Sequence, residues 1–427
     1  MKKVLIFTYY WPPAGGVSVQ RILKLSSYLQ RYGWLPVIIT VKDGIYYAFD
    51  PELENRVPPE IRVIKTRSFE PLQFYRIASG NKGNVVANIS AEPGKKRFST
   101  RIFEYIRANF LIPDARKYWK PYALRAARKL LANEHFDAII TTGPPHSTHL
   151  IGLELIKSHP IPWLADFRDP WVDIFYNRFL PRTERSINRD RKLEYNVLTR
   201  ASCITVVGAH MKQKLSVPGT RIEVLPNGFD INDYGSPPPR ASDCFVIRYI
   251  GSYLESEHSV VFWNVLRQFS ASTPCRIEFV GSIQPEALSS IKQHAGEVVW
   301  TQLPQVPHSE ALKLMQSAHL LLLAIPEVPH NKEILTGKLF EYIGSGTEIL
   351  SIGPADGDAA FVLTQCNRNP MCDYNDRAQM LSQLKTAAQR PSDFRYVVDA
   401  SSEFSRQHQA KLLAAWLDDL SRESARK

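Results

Sequence analysis

The stretch KVLIFTYYWPPAGGVSVQRILKLSSYLQRYGWLPVIITV, Lys3 to Val41, decides the fold class. Lys3–Thr8 is an apolar run of strand length. Val19, Ile22, Leu23, Leu25 and Leu29 then recur at helical spacing, Gly33 stops the helix, and Leu35–Val41 is a second apolar run. Strand, helix and strand in this order form a βαβ unit with a parallel sheet. The loop between holds Pro12, Pro13, Gly15 and Gly16. The glycines permit positive φ and close approach of a ligand. The alternative is a plain βα turn, which has no need of two prolines to stiffen it. No GxGxxG follows the strand, which weighs against a nicotinamide site.

The same alternation continues outward. Phe136–Thr141, Trp163–Phe167, Ile204–Val207 and Ile222–Leu225 read as strands, with helices at Thr148–Lys157 and Thr183–Arg200, the latter capped by Thr183. Residues 50–95 read as irregular, and Phe98–Phe110 and Tyr122–Leu131 as basic helices. YGSPPPRASD, residues 234–243, reads as a linker. Beyond it a second alternation begins with Phe245–Ile250 and continues through Arg276–Val280, Val298–Leu303, Leu320–Ile325 and Ile349–Ile352. The expected organisation is an α/β chain of two facing Rossmann-like domains: residues 1–233, a linker at 234–243, residues 244–400, and a C-terminal helix at 401–427 that crosses back to the first domain. A length of 427 residues fits two domains. In open sheets of this kind ligands bind beyond the carboxyl ends of the strands.

The formal charge is +11, and residues 95–130 hold 11 Lys or Arg against Glu104 and Asp114, so much of the excess is local. Such a patch suits an anionic partner. Arg101, Arg107, Arg116 and Lys117 are placed to meet anionic lipid, with Phe103, Tyr105 and Phe110 entering the interface; the alternative is a solvated face on a core-packed helix. No nucleic-acid-binding module is present in the sequence. Five cysteines without a CxxC pair fit a reducing compartment and no structural zinc. The opening MKKVLIFTYYWPP is too short in its apolar run for a secretion signal, and no run approaches the ~20 residues of a membrane span.

A second informative stretch is EILTGKLFEYIGSGTE, Glu333 to Glu348. A helix starting near Thr336, its N-cap, presents unpaired N–H groups and its positive dipole end, and Lys338 adds a charge there. That is a seat for a diphosphate. Glu341, one turn in, can accept from a ribose, and Glu333 from a second polyol; the alternative is an amphipathic helix with a charged wet face. His146, after Pro144 and Pro145, can bond a sugar hydroxyl or be a structural loop residue. Asp166 and Asp169 bracket Phe167-Arg168. Asp169 is the better candidate for a carboxylate near an acceptor hydroxyl, the alternative being an internal Arg168–Asp pair. Asn227-Gly228 reads as a structural turn.

Five motifs together carry a resemblance: TYYWPPAGGVSVQR near the start, TTGPPHSTHLIG at 141–152, ADFRDPW at 165–171, PNGFD at 226–230 and GKLFEYIGSG at 337–346. The sequence resembles the retaining family 4 glycosyltransferases of the GT-B fold, most of all the branch of bacterial capsule, exopolysaccharide and lipopolysaccharide assembly. The resemblance implies a metal-independent hexosyltransferase without cofactor. Its co-substrate would be a nucleoside diphosphate sugar, bound by the second domain through Gly251, Thr336, Gly337, Lys338 and Glu341. Gly15 and Gly16 would approach the donor phosphates and sugar. Glu333 would lie near the donor sugar, His146 would face it, and Asp169 would lie near a saccharide or polyprenyl-linked saccharide acceptor on the first domain. The expected setting is cytoplasmic, peripheral on the inner face of the cell membrane. The chain departs from the family at one place. Where relatives carry Arg and Lys after the first strand of the second domain, it reads Gly251-Ser252-Tyr253-Leu254-Glu255, and the next basic side chain is His258. Lys338 is then the substitute cation. Two other readings share the fold: a sugar-nucleotide epimerase, and a non-catalytic, lipid-docking member.

Overall fold

The computed structural model describes residues 1–46, 48–70, 98–240, 243–399 and 402–426, without the side chains at 98–100, 103, 175 and 176. The chain divides into two compact units. Unit 1 comprises Met1–Pro226 and Arg406–Lys427, and unit 2 comprises Asn227–Ser405.

Unit 1 is built on seven parallel strands: β1 (Lys2–Phe7), β2 (Trp34–Val41), β3 (Arg62–Thr66), β4 (Ala138–Gly143), β5 (Trp163–Phe167), β6 (Cys203–Val206) and β7 (Ile222–Val224). Their order is β3-β2-β1-β4-β5-β6-β7. The middle strands are buried along their whole length, as a sheet covered on both faces requires; β4 and β5 expose no residue. The order runs outward in both directions from β1 and β4, so the topological switch point lies between them, where the β1 and β4 loops diverge.

Unit 2 repeats the plan with β8 (Phe245–Ile250), β9 (Cys275–Val280), β10 (Val299–Leu303), β11 (Leu320–Ala324) and β12 (Glu348–Ile352), in the order β10-β9-β8-β11-β12. Successive residues of β11 serve opposite cores. Leu320 and Leu322 join one apolar cluster, and Leu321 and Leu323 the other, as the two-residue period of a strand dictates. The switch point here lies between β8 and β11.

The structure departs from the expected elements in four places. β3 lies inside the stretch read as irregular; it is a short edge strand of partly exposed residues, so its sequence carries little apolar alternation. Residues 71–97 of that stretch lie outside the described residues. The helices Pro285–His294 and Asp358–Gln365 have no counterpart in the reading above. The first buries only Ala287 and Ile291, too few to show a period. The division into units falls at Pro226/Asn227, ahead of the expected linker. The Phe229 N–H bonds the Phe404 carbonyl, and the Tyr234 hydroxyl bonds the Glu341 carbonyl at 2.8 Å. These bonds fasten the start of the proline-rich run within unit 2; residues 241 and 242 of the run lie outside the described residues. The last helix starts at Arg406, not 401. Its buried Ala410, Leu413, Ala414, Leu417 and Leu420 form a helical stripe packed against the helix Val17–Leu29 of unit 1.

Candidate functional site

In unit 1 the residues singled out from sequence gather at the β1/β4 switch point. Gly16 has φ 96° with nothing near a would-be Cβ, and it precedes the helix Val17–Leu29, which has no side-chain cap. Gly15 is glycine for a different reason: a Cβ there would meet the Asp50 Cβ at 3.2 Å. Its absent side chain is accounted for by packing, whereas Gly16 leaves open space at a helix start.

His146 follows β4. Its ring stacks on Trp171 at 5.0 Å and 8°. Burial first, then the Arg168 charge, lowers its pKa to about 3, with the Pro170 carbonyl opposing. It is a neutral imidazole at ordinary pH. His149 lies beside it, stacked on Phe167 at 4.5 Å, and burial likewise holds it far below the usual histidine range. The Thr141 hydroxyl accepts the Trp163 N–H at 2.8 Å and shares a hydrogen bond with His149 Nδ1 at 2.9 Å.

The two aspartates separate clearly. Asp166 is buried and accepts from Arg21 at 2.8 Å, Thr142 at 2.8 Å and Thr205 at 2.9 Å. Burial alone would raise its carboxyl; Arg21 first and then Arg168 outweigh burial and hold it below the usual value. Arg21 also donates to the carbonyls of Leu225 and Pro226. Asp166 is thus an internal anchor joining β5 to its neighbours. Asp169 is exposed; the alternative, an internal Arg168–Asp pair, is not seen as a direct contact among the described residues, and the Arg168 guanidinium donates to the Pro144 carbonyl.

A cavity of about 460 Å³ opens here, lined among others by Tyr10, Arg116, His146, Arg168, Asp169 and Trp171. Asp190 accepts the Trp171 N–H at 2.7 Å and fixes that ring. Asp114 accepts from the Ser147 N–H and hydroxyl at 2.8 and 2.7 Å, and so anchors the loop carrying His146. Trp171, Asp190, Asp114 and His149 were not singled out from sequence. Trp171 sits within the ADFRDPW motif and His149 within TTGPPHSTHLIG, which were the available signals; Asp190 and Asp114 had none.

The basic patch splits. Tyr105 and Phe110 are 47% and 62% exposed on the helix Phe98–Phe110, and Arg101 is exposed. Arg116 is a correction: it is buried and paired with Glu70 at 3.2 Å, so it cannot meet a lipid surface. Arg107 lines the cavity, and Lys117 donates to the Phe110 carbonyl at 2.6 Å. The Phe103 side chain lies outside the described residues.

In unit 2 the β8/β11 switch point brings together the loop after β8 and the helix Gly337–Gly344. The Thr336 hydroxyl caps that helix by accepting the Lys338 N–H at 3.4 Å. Gly251 has φ 119°, and a Cβ on Gly281 would come within 2.6 Å of the Gly251 carbonyl, so the β8 and β9 loops approach too closely for side chains there. Glu341 lies one turn into the helix and meets His308 Nε2 at 3.1 Å. Glu333 is half-buried in the turn Asn331–Glu333.

Lys338 does not stand as a free cation. Its side chain is 18% exposed, its ammonium lies 3.3 Å from Glu257, contacts the Tyr249 hydroxyl, and sits 4.2 Å from the Tyr249 ring centre. Burial lowers its pKa, opposed by Glu257 and then Glu341. His258 cannot substitute: its Nε2 is buried, its ring faces Trp263, and burial and His294 lower its pKa to about 4. Among the described residues no group of three or more His, Cys, Asp or Glu is placed to hold a metal, and no helix is long and apolar enough to cross a membrane.

Residues 80–233 match the family Glycosyltransferase Family 4. No curated protein matches the chain by sequence. Among solved structures it is similar to ligand-free OtsA, with TM-score 0.59 and 14% identity, covering 98% of this chain and 99% of that one. It is similar to HepE of Anabaena in complex with UDP and glucose, with TM-score 0.52, 14% identity and coverage of 100% and 99%. It is also similar to a candidate UDP-N-acetylglucosamine 2-epimerase of Listeria monocytogenes, with TM-score 0.54, 11% identity and coverage of 99% and 98%. These likenesses show the fold: two parallel-sheet α/β units of the GT-B glycosyltransferase type.

Proposed function

We propose that the chain is a glycosyltransferase that moves a sugar from a nucleoside diphosphate sugar to a saccharide or lipid-linked saccharide acceptor. The observation that carries this is the unit 2 switch point, where a helix start, a lysine and a carboxylate one turn further in lie together at the strand ends. The cap uses the Lys338 N–H, which leaves the Gly337 N–H to meet a phosphate. Lys338 then neutralises charge growing on the leaving diphosphate, and Glu341, steadied by His308, takes the ribose hydroxyls. In unit 1 the cavity beside His146 and Trp171 is the acceptor pocket. Its aromatic face, neutral imidazole and exposed Asp169 suit a hydroxyl-rich sugar.

The same reading includes retention of the anomer, independence of metal and a role in surface polysaccharide synthesis, each supported by the five motifs. It also includes docking on the inner face of the membrane, supported by the exposed Tyr105, Phe110 and Arg101. A thermal-shift screen of nucleoside diphosphates, followed by hydrolysis assays of the matching sugar nucleotides, tests it. Stabilisation by one nucleotide, lost in Lys338→Ala and Glu341→Ala, is expected; no shift with any nucleotide overturns the reading. The likeness to an epimerase gives a second reading, separated by product: inversion of the sugar nucleotide itself, with no acceptor needed.

A further inference from the structure

The loops that leave the five strand ends of unit 2 hold two lysines and no arginine up to the helix start at Gly337–Lys338: Lys332, paired with Asp356, and Lys338, paired with Glu257. A diphosphate seated at this switch point therefore finds its nearest cation already engaged by a carboxylate. The two partners are held very differently. Glu257 is fixed within its own loop. It accepts the Leu254 N–H at 2.9 Å and the Tyr249 hydroxyl at 2.8 Å, and so closes the turn Glu255–Glu257 on itself. Lys338 is tied only through the tip of a flexible stem, to Glu257 and to Tyr249. That stem runs past Gly251: a Cβ there would lie 3.5 Å from Lys338 Cδ and 3.9 Å from Nζ. Where the β8 loop has no side chain, the lysine has room to change partners, while Glu257 has none.

We propose that Glu257 is a built-in counter-ion that competes with the diphosphate for Lys338, and so weakens retention of the nucleotide and speeds its release; this rests on the donor-site reading above. On binding, the ammonium turns from Glu257 to the phosphate oxygens, and the carboxylate stays behind as a nearby like charge. On departure of the nucleoside diphosphate the Lys338–Glu257 pair re-forms. No covalent bond changes. Glu257 is a positioning residue, acting through Lys338.

The effect depends on phosphate charge and not on the base or ribose, which provides the test. Binding of UDP, GDP, ADP, CDP and dTDP, and of the matching nucleosides, is measured by calorimetry on the full chain, wild type and Glu257→Gln. Gln keeps an acceptor for the Leu254 N–H and removes the charge. The expected result is a diphosphate bound about tenfold tighter by Glu257→Gln, with the nucleoside unchanged. In turnover, KM for the sugar nucleotide falls and inhibition by the product diphosphate strengthens. If the wild type binds a diphosphate and the variant binds it equally or more weakly, or if nucleoside and diphosphate gain together, the inference is overturned and the donor site stands. If neither protein binds any diphosphate, both fall. Should Glu257→Gln not fold, Glu257→Asp draws the carboxylate back and is expected to tighten the diphosphate a few-fold; no change there overturns the inference.

Discussion

Each unit carries an ion pair near its switch point, and the two pairs are built for different ends. In unit 1, Arg21 and Asp166 are both buried, meet at 2.8 Å, and spend their remaining capacity on two threonine hydroxyls and two backbone carbonyls. In unit 2, Lys338 and Glu257 meet at 3.3 Å, with the lysine partly exposed and bonded only at its tip. An arginine fork locked at several points fixes strands and loops. A lysine held at one point can leave. The difference between them separates a residue that shapes a site from one that serves a ligand there.

The largest expected effect comes from breaking the locked pair. Asp166→Ala leaves the Arg21 charge buried without its counter-ion and should cost about 3–5 kcal/mol in denaturant unfolding. A loss under about 1 kcal/mol would show that the two pairs are alike in strength. The acid stability of unit 1 comes next. His146, with its pKa near 3 in the folded chain against 6.5 for an ordinary histidine, binds its proton less readily when folded. Its contribution is therefore intact above pH 6.5 and is lost as pH falls toward 3. His146→Phe, which keeps a ring on Trp171, should flatten the fall of unfolding free energy over that window by close to one proton; an unchanged slope would mean that His146 is not neutral in the fold. Gly16→Ala should cost about 1 kcal/mol, because φ 96° is unfavourable for alanine although space is available. The exchangeable pair gives the sharpest contrast. Lys338→Met leaves Glu257 its bonds from the Leu254 N–H and the Tyr249 hydroxyl, so it should cost less stability than Asp166→Ala while lowering affinity for a nucleoside diphosphate. A stability loss equal to that of Asp166→Ala would erase the contrast.

The legible part of the sequence was local. The βαβ reading of Lys3–Val41, the parallel alternation and the cap at Thr336 rest on periods and turn chemistry that neighbouring residues supply. Pairings across the chain were not legible. Arg21 finds Asp166 from a helix 145 positions away, and Lys338 finds Glu257 from 81 away. The absence of Arg and Lys after β8 could be read directly, but the carboxylate that engages Lys338 could not, since Glu257 looks like any loop glutamate. Arg116 misled for the same reason: its partner, Glu70, lies far off in sequence, so a buried ion pair read as surface charge. β3 was hidden because an edge strand need not alternate, and the bond of Tyr234 to Glu341 because composition alone shows no partner for the start of the proline run.

The stripe of Ala410, Leu413, Ala414, Leu417 and Leu420 bears on how the chain is made. Unit 2 is one continuous segment, complete once Ser405 has been synthesised, whereas unit 1 starts first and lacks this helix until the end. As the chain leaves the ribosome, the later unit has all its parts before the earlier one. Until residue 420 emerges, the apolar face of Val17–Leu29 that this helix covers is open to other chains. Chains truncated after Ser405 and released from the ribosome should therefore hold a protease-resistant unit 2 beside an unfinished, aggregation-prone unit 1.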